Sequence, residues 1–128
     1  IVITNRTIDK AINLSAEFHH KGSIAGCGFN DLKNQQFDLI INATSTSLSG
    51  QLPPLPEALL AEKGVCYDLA YSNESTVFVR WGLKNHAVKS LDGLGMLVEQ
   101  AAEAFLVWRG VRPETAPVLA ELRHQLTA

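Results

Sequence analysis

Apolar and polar positions along this chain switch repeatedly between the period of a strand and the period of a helix. Ile1-Val2-Ile3-Thr4 is a β-branched apolar run and predicts a buried strand. From Ile8 to His20 the residues Ile8, Ala11, Ile12, Ala16 and Phe18 fall mostly at helical spacing, which predicts a helix with one buried stripe. Thr7 stands where it can cap that helix, and Lys21-Gly22 where the helix can end. Ser23–Gly26 reads as a short strand, and Asp31-Leu32 as a turn or single helical turn. Phe37–Asn42 predicts a strong buried strand, and Ala43–Pro56, rich in Thr, Ser, Gly and Pro, a loop. Pro56–Glu62 reads as a short helix with proline at its start.

The second half repeats the alternation. Gly64–Ala70 predicts a strand, Thr76–Asn85 a helix and Ala87–Ser90 a short edge strand. Gly93–Arg109 carries Leu94, Leu97, Val98, Ala101, Phe105 and Trp108 three or four apart and predicts a long helix ended by Gly110. Pro113 then opens a last helix with Val118, Leu119, Leu122 and Leu126 on one face. Strands alternating with helices imply right-handed βαβ units, hence an α/β fold with a mainly parallel sheet covered by helices on both faces. The carboxyl ends of Ile1–Thr4, Phe37–Asn42 and Gly64–Ala70 are expected along one sheet edge, where such folds bind ligands. Just beyond them lie Asn5-Arg6-Thr7, Ala43-Thr44-Ser45 and Tyr71.

Composition narrows the function classes. The 128 residues suit one domain, with 46% apolar and 19% charged residues. A net charge of −2 and a pI near 6.1 argue against a basic nucleic-acid footprint. No apolar run approaches the roughly 20 residues that span a membrane. Cys27 and Cys66 form no metal-ligand or CxxC spacing and read as two buried free thiols, which fits a reducing cytoplasm; a disulfide between them is the alternative.

The candidate chemistry is that of a dinucleotide site. In a Rossmann-like fold the second strand commonly ends in an acid that accepts hydrogen bonds from the adenosine ribose, which favours NAD. Here that position holds Asn5-Arg6-Thr7. The Arg6 fork suits a 2′-phosphate and can lie flat against adenine, Lys10 adds a second positive charge one turn on, and the helix start offers free N–H groups. Together they point to NADP; a solvated surface arginine is the plain alternative. No Gly-rich phosphate loop is present, and Gly26-x-Gly28 follows too poor a strand to serve as one. The chain thus reads as truncated before the first strand and Gly-rich loop of its fold; it also lacks an initiator methionine, its single Met being Met96. Small residues after a central strand, Ala43-Thr44-Ser45, permit close approach of a ligand; an ordinary turn is the alternative. Tyr71 either bonds a substrate or covers the sheet edge, and Gln100 either reaches toward substrate or faces solvent. The four histidines have no partner pattern, and no convincing acid–base pair for an alcohol hydroxyl is present.

These blocks resemble a known family. Asn5-Arg6-Thr7, Phe37-Asp38-Leu39-Ile40-Ile41-Asn42-Ala43-Thr44-Ser45, Tyr67-Asp68-Leu69-Ala70-Tyr71 and Asp92-Gly93-Leu94-Gly95-Met96-Leu97-Val98-Glu99-Gln100-Ala101-Ala102, followed by Phe105, Trp108 and Gly110, resemble the C-terminal NADP-binding part of shikimate dehydrogenase in order and spacing. The resemblance runs over essentially the whole chain. It implies reversible, NADPH-dependent reduction of 3-dehydroshikimate to shikimate, in aromatic amino acid biosynthesis in the cytoplasm. It also implies that Asn5, Arg6, Thr7 and Lys10 bind the adenosine 2′-phosphate. Ala43 and Thr44 lie beside the cofactor, Leu69 and Gly93 contact its nicotinamide end, and Tyr71 and Gln100 bind substrate. The catalytic Lys and Asp of that family belong to an N-terminal domain, on which the helices from about residue 93 onward are expected to pack. No catalytic residue and no metal ligand is therefore assigned within this chain. Three positions depart from the family pattern: Lys10 for a second Arg, Ser47 for a frequent Gly, and Val77 for a common Pro. Related NADP-binding domains, those of quinate/shikimate dehydrogenase and glutamyl-tRNA reductase, are the nearest alternatives, and a stand-alone nucleotide-binding module is another. The unpaired sheet edge left by a missing first strand adds the expectation of self-association.

Overall fold

The computed structural model describes residues 1–127. Its strands form two sheets. β1 (Val2–Thr4) pairs in parallel with β2 (Ala25–Cys27), with Val2 opposite Ala25 and Thr4 opposite Cys27. β3 (Phe37–Asn42), β4 (Leu60–Asp68) and β5 (Lys89–Leu91) form the other sheet, with β4 in the middle and parallel to β5. The chain divides accordingly into one unit of Ile1–Phe37 with Pro53–Ala61 and another of Asp38–Leu52 with the chain from Glu62 onward. The α/β class and parallel pairing match the sequence expectation. In place of one sheet the strands form two, β1-β2 and β3-β4-β5.

In the first unit, α1 (Ile8–Phe18) lies very close to β2. A side chain at Gly26 would sit 2.3 Å from the Ala11 carbonyl oxygen, so only glycine admits this approach. The helix therefore buries its small residues, Ala11 and Ser15, while Ile8, Ile12 and Phe18 stay substantially exposed. The expected apolar stripe is corrected on this point, because contact distance here selects small side chains over large ones. The helix gives way to a 3-10 turn at His19–Lys21, and a second such turn occupies Phe29–Leu32.

The predicted helix at Pro56–Glu62 is absent. The chain runs without helix from Pro53, turns at Ala58 with φ of 55°, and enters β4 at Leu60. Prolines 53, 54 and 56 hold this stretch off the helical region and remove three donors. Leu59 and Leu60 are buried, and the Leu59 carbonyl accepts the Phe37 N–H at 2.9 Å.

In the second unit, α2 (Val77–Lys84) begins on Thr76, whose hydroxyl accepts the Val79 N–H at 3.2 Å. Val77 thus starts the helix without a proline. Phe78 and Val79 are buried, and Gly82 presses onto β4 and β5, where an added Cβ would lie 2.8 Å from the Cys66 Cβ. β5 is offset by a residue or two from its expected place at Ala87–Ser90. α3 (Leu94–Arg109) buries Leu94, Val98 and Ala102, four apart, and ends at Gly110 with φ of 71°. Phe105 and Trp108, expected on that stripe, are exposed. α4 starts at Ala116, three residues after Pro113, and runs to Thr127. Among the described residues no helix is long and apolar enough to cross a membrane, and no cluster of His, Cys, Asp or Glu has the makings of a metal site.

Candidate functional site

The candidate residues fall into two groups, one in each unit. In the first unit the chain leaves β1 and turns at Asn5-Arg6-Thr7 into α1. The Asn5 side-chain oxygen accepts the Thr7 N–H at 2.9 Å, an Asx turn that sets the entry. Thr7 occupies the cap position in extended geometry, but its hydroxyl makes no capping bond, contrary to expectation. Its carbonyl accepts the Lys10 N–H at 3.0 Å. The first-turn N–H groups of α1 therefore have no side-chain acceptor at the cap. Arg6 and Lys10 are both exposed, and among the described residues neither side chain is engaged in a hydrogen bond or ion pair. Asp9 is the one acid in that turn. The arrangement offers two cations and a helix start to an anion.

In the second unit a buried polar network joins the ends of β3 and β4. Asp68 is fully buried. Its Oδ1 accepts the Asn42 Nδ2 at 3.1 Å and the Ala70 N–H at 3.2 Å. Its Oδ2 accepts the Ser47 hydroxyl at 2.6 Å and the Thr76 hydroxyl at 2.7 Å. The Asn42 amide nitrogen also donates to the Ser47 oxygen at 3.0 Å. The Asn42 Oδ1 accepts the Thr44 N–H at 3.2 Å and the Thr44 hydroxyl at 2.7 Å. Thr44 is half-buried and Ala43 exposed. Ser47, whose backbone effect the sequence left uncertain, sits in a 3-10 turn at Thr46–Ser49 that needs no left-handed residue until Gly50.

Gly93 comes against the backbone after β4. Its N–H donates to the Ala70 carbonyl at 2.9 Å, and a Cβ there would fall 2.0 Å from the Leu69 carbonyl oxygen. The Leu69 N–H in turn donates to the Asn42 carbonyl at 2.9 Å. The network thus brings Thr44, Leu69 and Gly93 to one end of this sheet. Tyr71, 40% exposed, lines a pocket of about 250 Å³ with Ser47, Leu48, Thr76 and Arg80. Gln100 is exposed on α3 and does not line that pocket. A second groove, of about 380 Å³, is almost wholly apolar and runs between α3 and α4 past Leu97, Phe105, Val118 and Leu122.

The Arg123 guanidinium holds the Asp92 carboxyl below its usual range, and burial pushes the Cys66 thiol up to about 11. Burial, and secondarily Asp31, raises the Cys27 thiol. Both cysteines are free, Cys66 buried and Cys27 only half-buried.

Sequence reasoning assigned no role to Asp68. The signal was available: Gly64, Cys66 and Asp68 share the buried phase of β4, and an acid in that phase needs several donors.

Comparison with known proteins gives one consistent match. The Shikimate 5'-dehydrogenase C-terminal domain family matches residues 93–123. A shikimate dehydrogenase (NADP(+)) of Methylococcus capsulatus is 62% identical over 125 residues, which cover 98% of this chain and 45% of that protein. Among solved structures, an Ael1 enzyme from Pseudomonas putida aligns with a TM-score of 0.82 at 44% identity, over 99% of this chain and 45% of that one. A shikimate dehydrogenase in complex with NADP+ aligns with a TM-score of 0.79 at 32% identity, over 100% of this chain and 47% of that one. The chain spans a little under half the length of these relatives. Along essentially all of its own length, the chain matches the C-terminal part of the shikimate dehydrogenases, the family its motifs resemble.

Proposed function

We propose that this chain is the NADP-binding part of a shikimate dehydrogenase that reversibly reduces 3-dehydroshikimate to shikimate in the cytoplasm. The observation that carries the reading is the turn after β1: two unengaged cations, Arg6 and Lys10, beside a helix start without a side-chain cap. This is a fit for the extra phosphate of NADP and a poor fit for the bare ribose of NAD, which asks for an acceptor. Arg6 pairs with the 2′-phosphate through its fork, Lys10 adds charge, and Asn5 and Thr7 hold the turn in place. Ala43 and Thr44 lie beside the cofactor, and Leu69 and Gly93 receive its nicotinamide end, where the glycine allows contact with bare backbone. Tyr71 and Gln100 take the substrate.

NADPH, when bound, supplies the hydride. In this reading the acid–base pair for the substrate hydroxyl lies in the portion of the relatives outside this match, and α3 and α4 pack against that portion through their apolar groove. The 128-residue chain alone then binds cofactor without turning over shikimate.

Calorimetric titration of the chain with NADP+ and NAD+ tests the reading. NADP+ is expected to bind at least tenfold more tightly, and Arg6→Ala to abolish most of that difference, as loss of a charge-assisted fork does. Tighter binding of NAD+, or a preference untouched by Arg6→Ala, overturns it.

A further inference from the structure

The cofactor and substrate groups of the second unit share one internal anchor. Asp68 is fully buried, a costly position for a carboxyl group unless donors surround it. Its four donors come from four different segments: the end of β3 (Asn42), the turn after β3 (Ser47), the backbone after β4 (Ala70) and the cap of α2 (Thr76). None of these bonds is needed to form a strand or to complete the backbone of a helix. They fix loops.

The consequences can be followed bond by bond. Asp68 and Ser47 together accept the Asn42 amide nitrogen, so the amide oxygen must face the other way. That oxygen is what holds both the N–H and the hydroxyl of Thr44. On the opposite side, the Ala70 N–H bound to Oδ1 fixes the backbone one residue before Tyr71. One carboxyl group therefore sets the position of the proposed cofactor residue and of the proposed substrate residue.

Resting on the functional reading above, we propose that Asp68 is a positioning residue of this site, and that Ser47 is its adjustable partner. Asp68 touches neither cofactor nor substrate; it acts through Asn42 on Thr44 and through Ala70 on Tyr71. Ser47 closes the bracket by giving its proton to Asp68 and accepting one from Asn42. A glycine at 47 offers neither bond.

The test is amide hydrogen exchange by NMR on the 128-residue chain and its Asp68→Asn, Ser47→Ala and Ser47→Thr variants, with NADP+ titrated into each. Asp68→Asn is expected to speed exchange about tenfold or more at Thr44 and Ala70, and Ser47→Ala to do so at Thr44, while α3 amides keep their rates. NADP+ binding should weaken by about tenfold in both variants. Ser47→Thr, which keeps the hydroxyl, should restore the parent exchange rates. Uniformly faster exchange across the chain, or unchanged rates at Thr44 and Ala70, overturns the proposal. Asp68→Asn could fail to fold, and Ser47→Ala then decides by the same two readouts. A parent chain that binds no NADP+ counts against the functional reading alone, since the exchange rates still judge the bracket.

Discussion

Arg123 grips Asp92 with both of its terminal nitrogens, at 2.6 and 2.7 Å, across 31 residues of chain. Asp92 also accepts the Leu94 N–H at 3.2 Å, so one carboxylate both opens α3 and latches α4. The first cause of its lowered pKa is that bond from Arg123. A carboxyl lowered on folding adds stability that is fully present above its unfolded value, 3.8, and is lost as pH falls through the lower folded value. Urea unfolding at pH 6 should therefore show Arg123→Gln destabilised by about 1 kcal/mol, the upper end of the range for surface pairs, because the Asp92 side chain is only 12% exposed and the Arg123 side chain 45%. Near pH 2 the two proteins should converge, and 0.5 M salt should shrink the gap at pH 6. A difference that grows on acidification would contradict this sign.

Gly93 and Gly95, two residues apart, should respond differently to the same substitution. Gly93→Ala forces a methyl group into the Leu69 carbonyl, and Gly26→Ala into the Ala11 carbonyl; neither neighbour is a flexible side chain. Each should cost about 2–3 kcal/mol or more in thermal or urea melts. At Gly95, inside α3, the nearest atom to an added Cβ is the Tyr67 hydroxyl at 4.0 Å. Gly95→Ala should be neutral or stabilising by up to about 1 kcal/mol through helix propensity. Equal effects at 93 and 95 would show that the close approach is not rigid.

How much of this was legible in the sequence depended on whether a local pattern or a distant partner decided the outcome. Phe37–Asn42 has the bounds its apolar run suggested but not the expected burial, since only Asn42 is buried, and β1 is likewise only half-buried; α3 ends where Gly110 allows a left-handed cap. The Asn5-Arg6-Thr7 turn was readable because all its parts are contiguous. Pro56–Glu62 failed because proline is as compatible with extended chain as with a helix start, and the burial of Leu59 chose between them. The stripe of α1 failed because Gly26, eight residues beyond its end, dictates which side chains fit beneath it. Asp68 needed donors from 26 residues before it and 8 after it, a relation no local window contains.

Thiol chemistry should separate the two cysteines. Cys66 is fully buried, and a thiol at about 11 is only about one part in a thousand thiolate at pH 8. In native buffer an aromatic disulfide reagent should titrate at most one thiol per chain, slowly, at Cys27. Two should react after unfolding in guanidinium. Rapid loss of two thiols from the native chain would refute the placement of Cys66.

Lys10 offers charge without a fork. Lys10→Arg should tighten NADP+ a few-fold and leave NAD+ unchanged, measured by the same calorimetry, because only the phosphorylated ribose rewards bidentate geometry. An equal gain for both dinucleotides would mean the residue meets the common part of the cofactor.

β3 is the outer strand of its sheet, and Leu39 and Ile41 on it are each more than half exposed. The N–H and C=O groups along an outer strand pair readily with another strand, and exposed apolar side chains on its face favour the contact. The isolated chain should show concentration-dependent mass in light scattering, reduced by Ile41→Lys. A strict monomer at all concentrations would exclude self-association through this edge.

The bracket around Asp68 also carries an evolutionary consequence. Asn42, Ser47, Asp68 and Thr76 are joined by shared protons and lone pairs around one carboxyl group, so their identities are not independent. Lineages that exchange one of them should show a compensating replacement at another, and residues 42, 47, 68 and 76 should drift through sequence space as a single inherited unit.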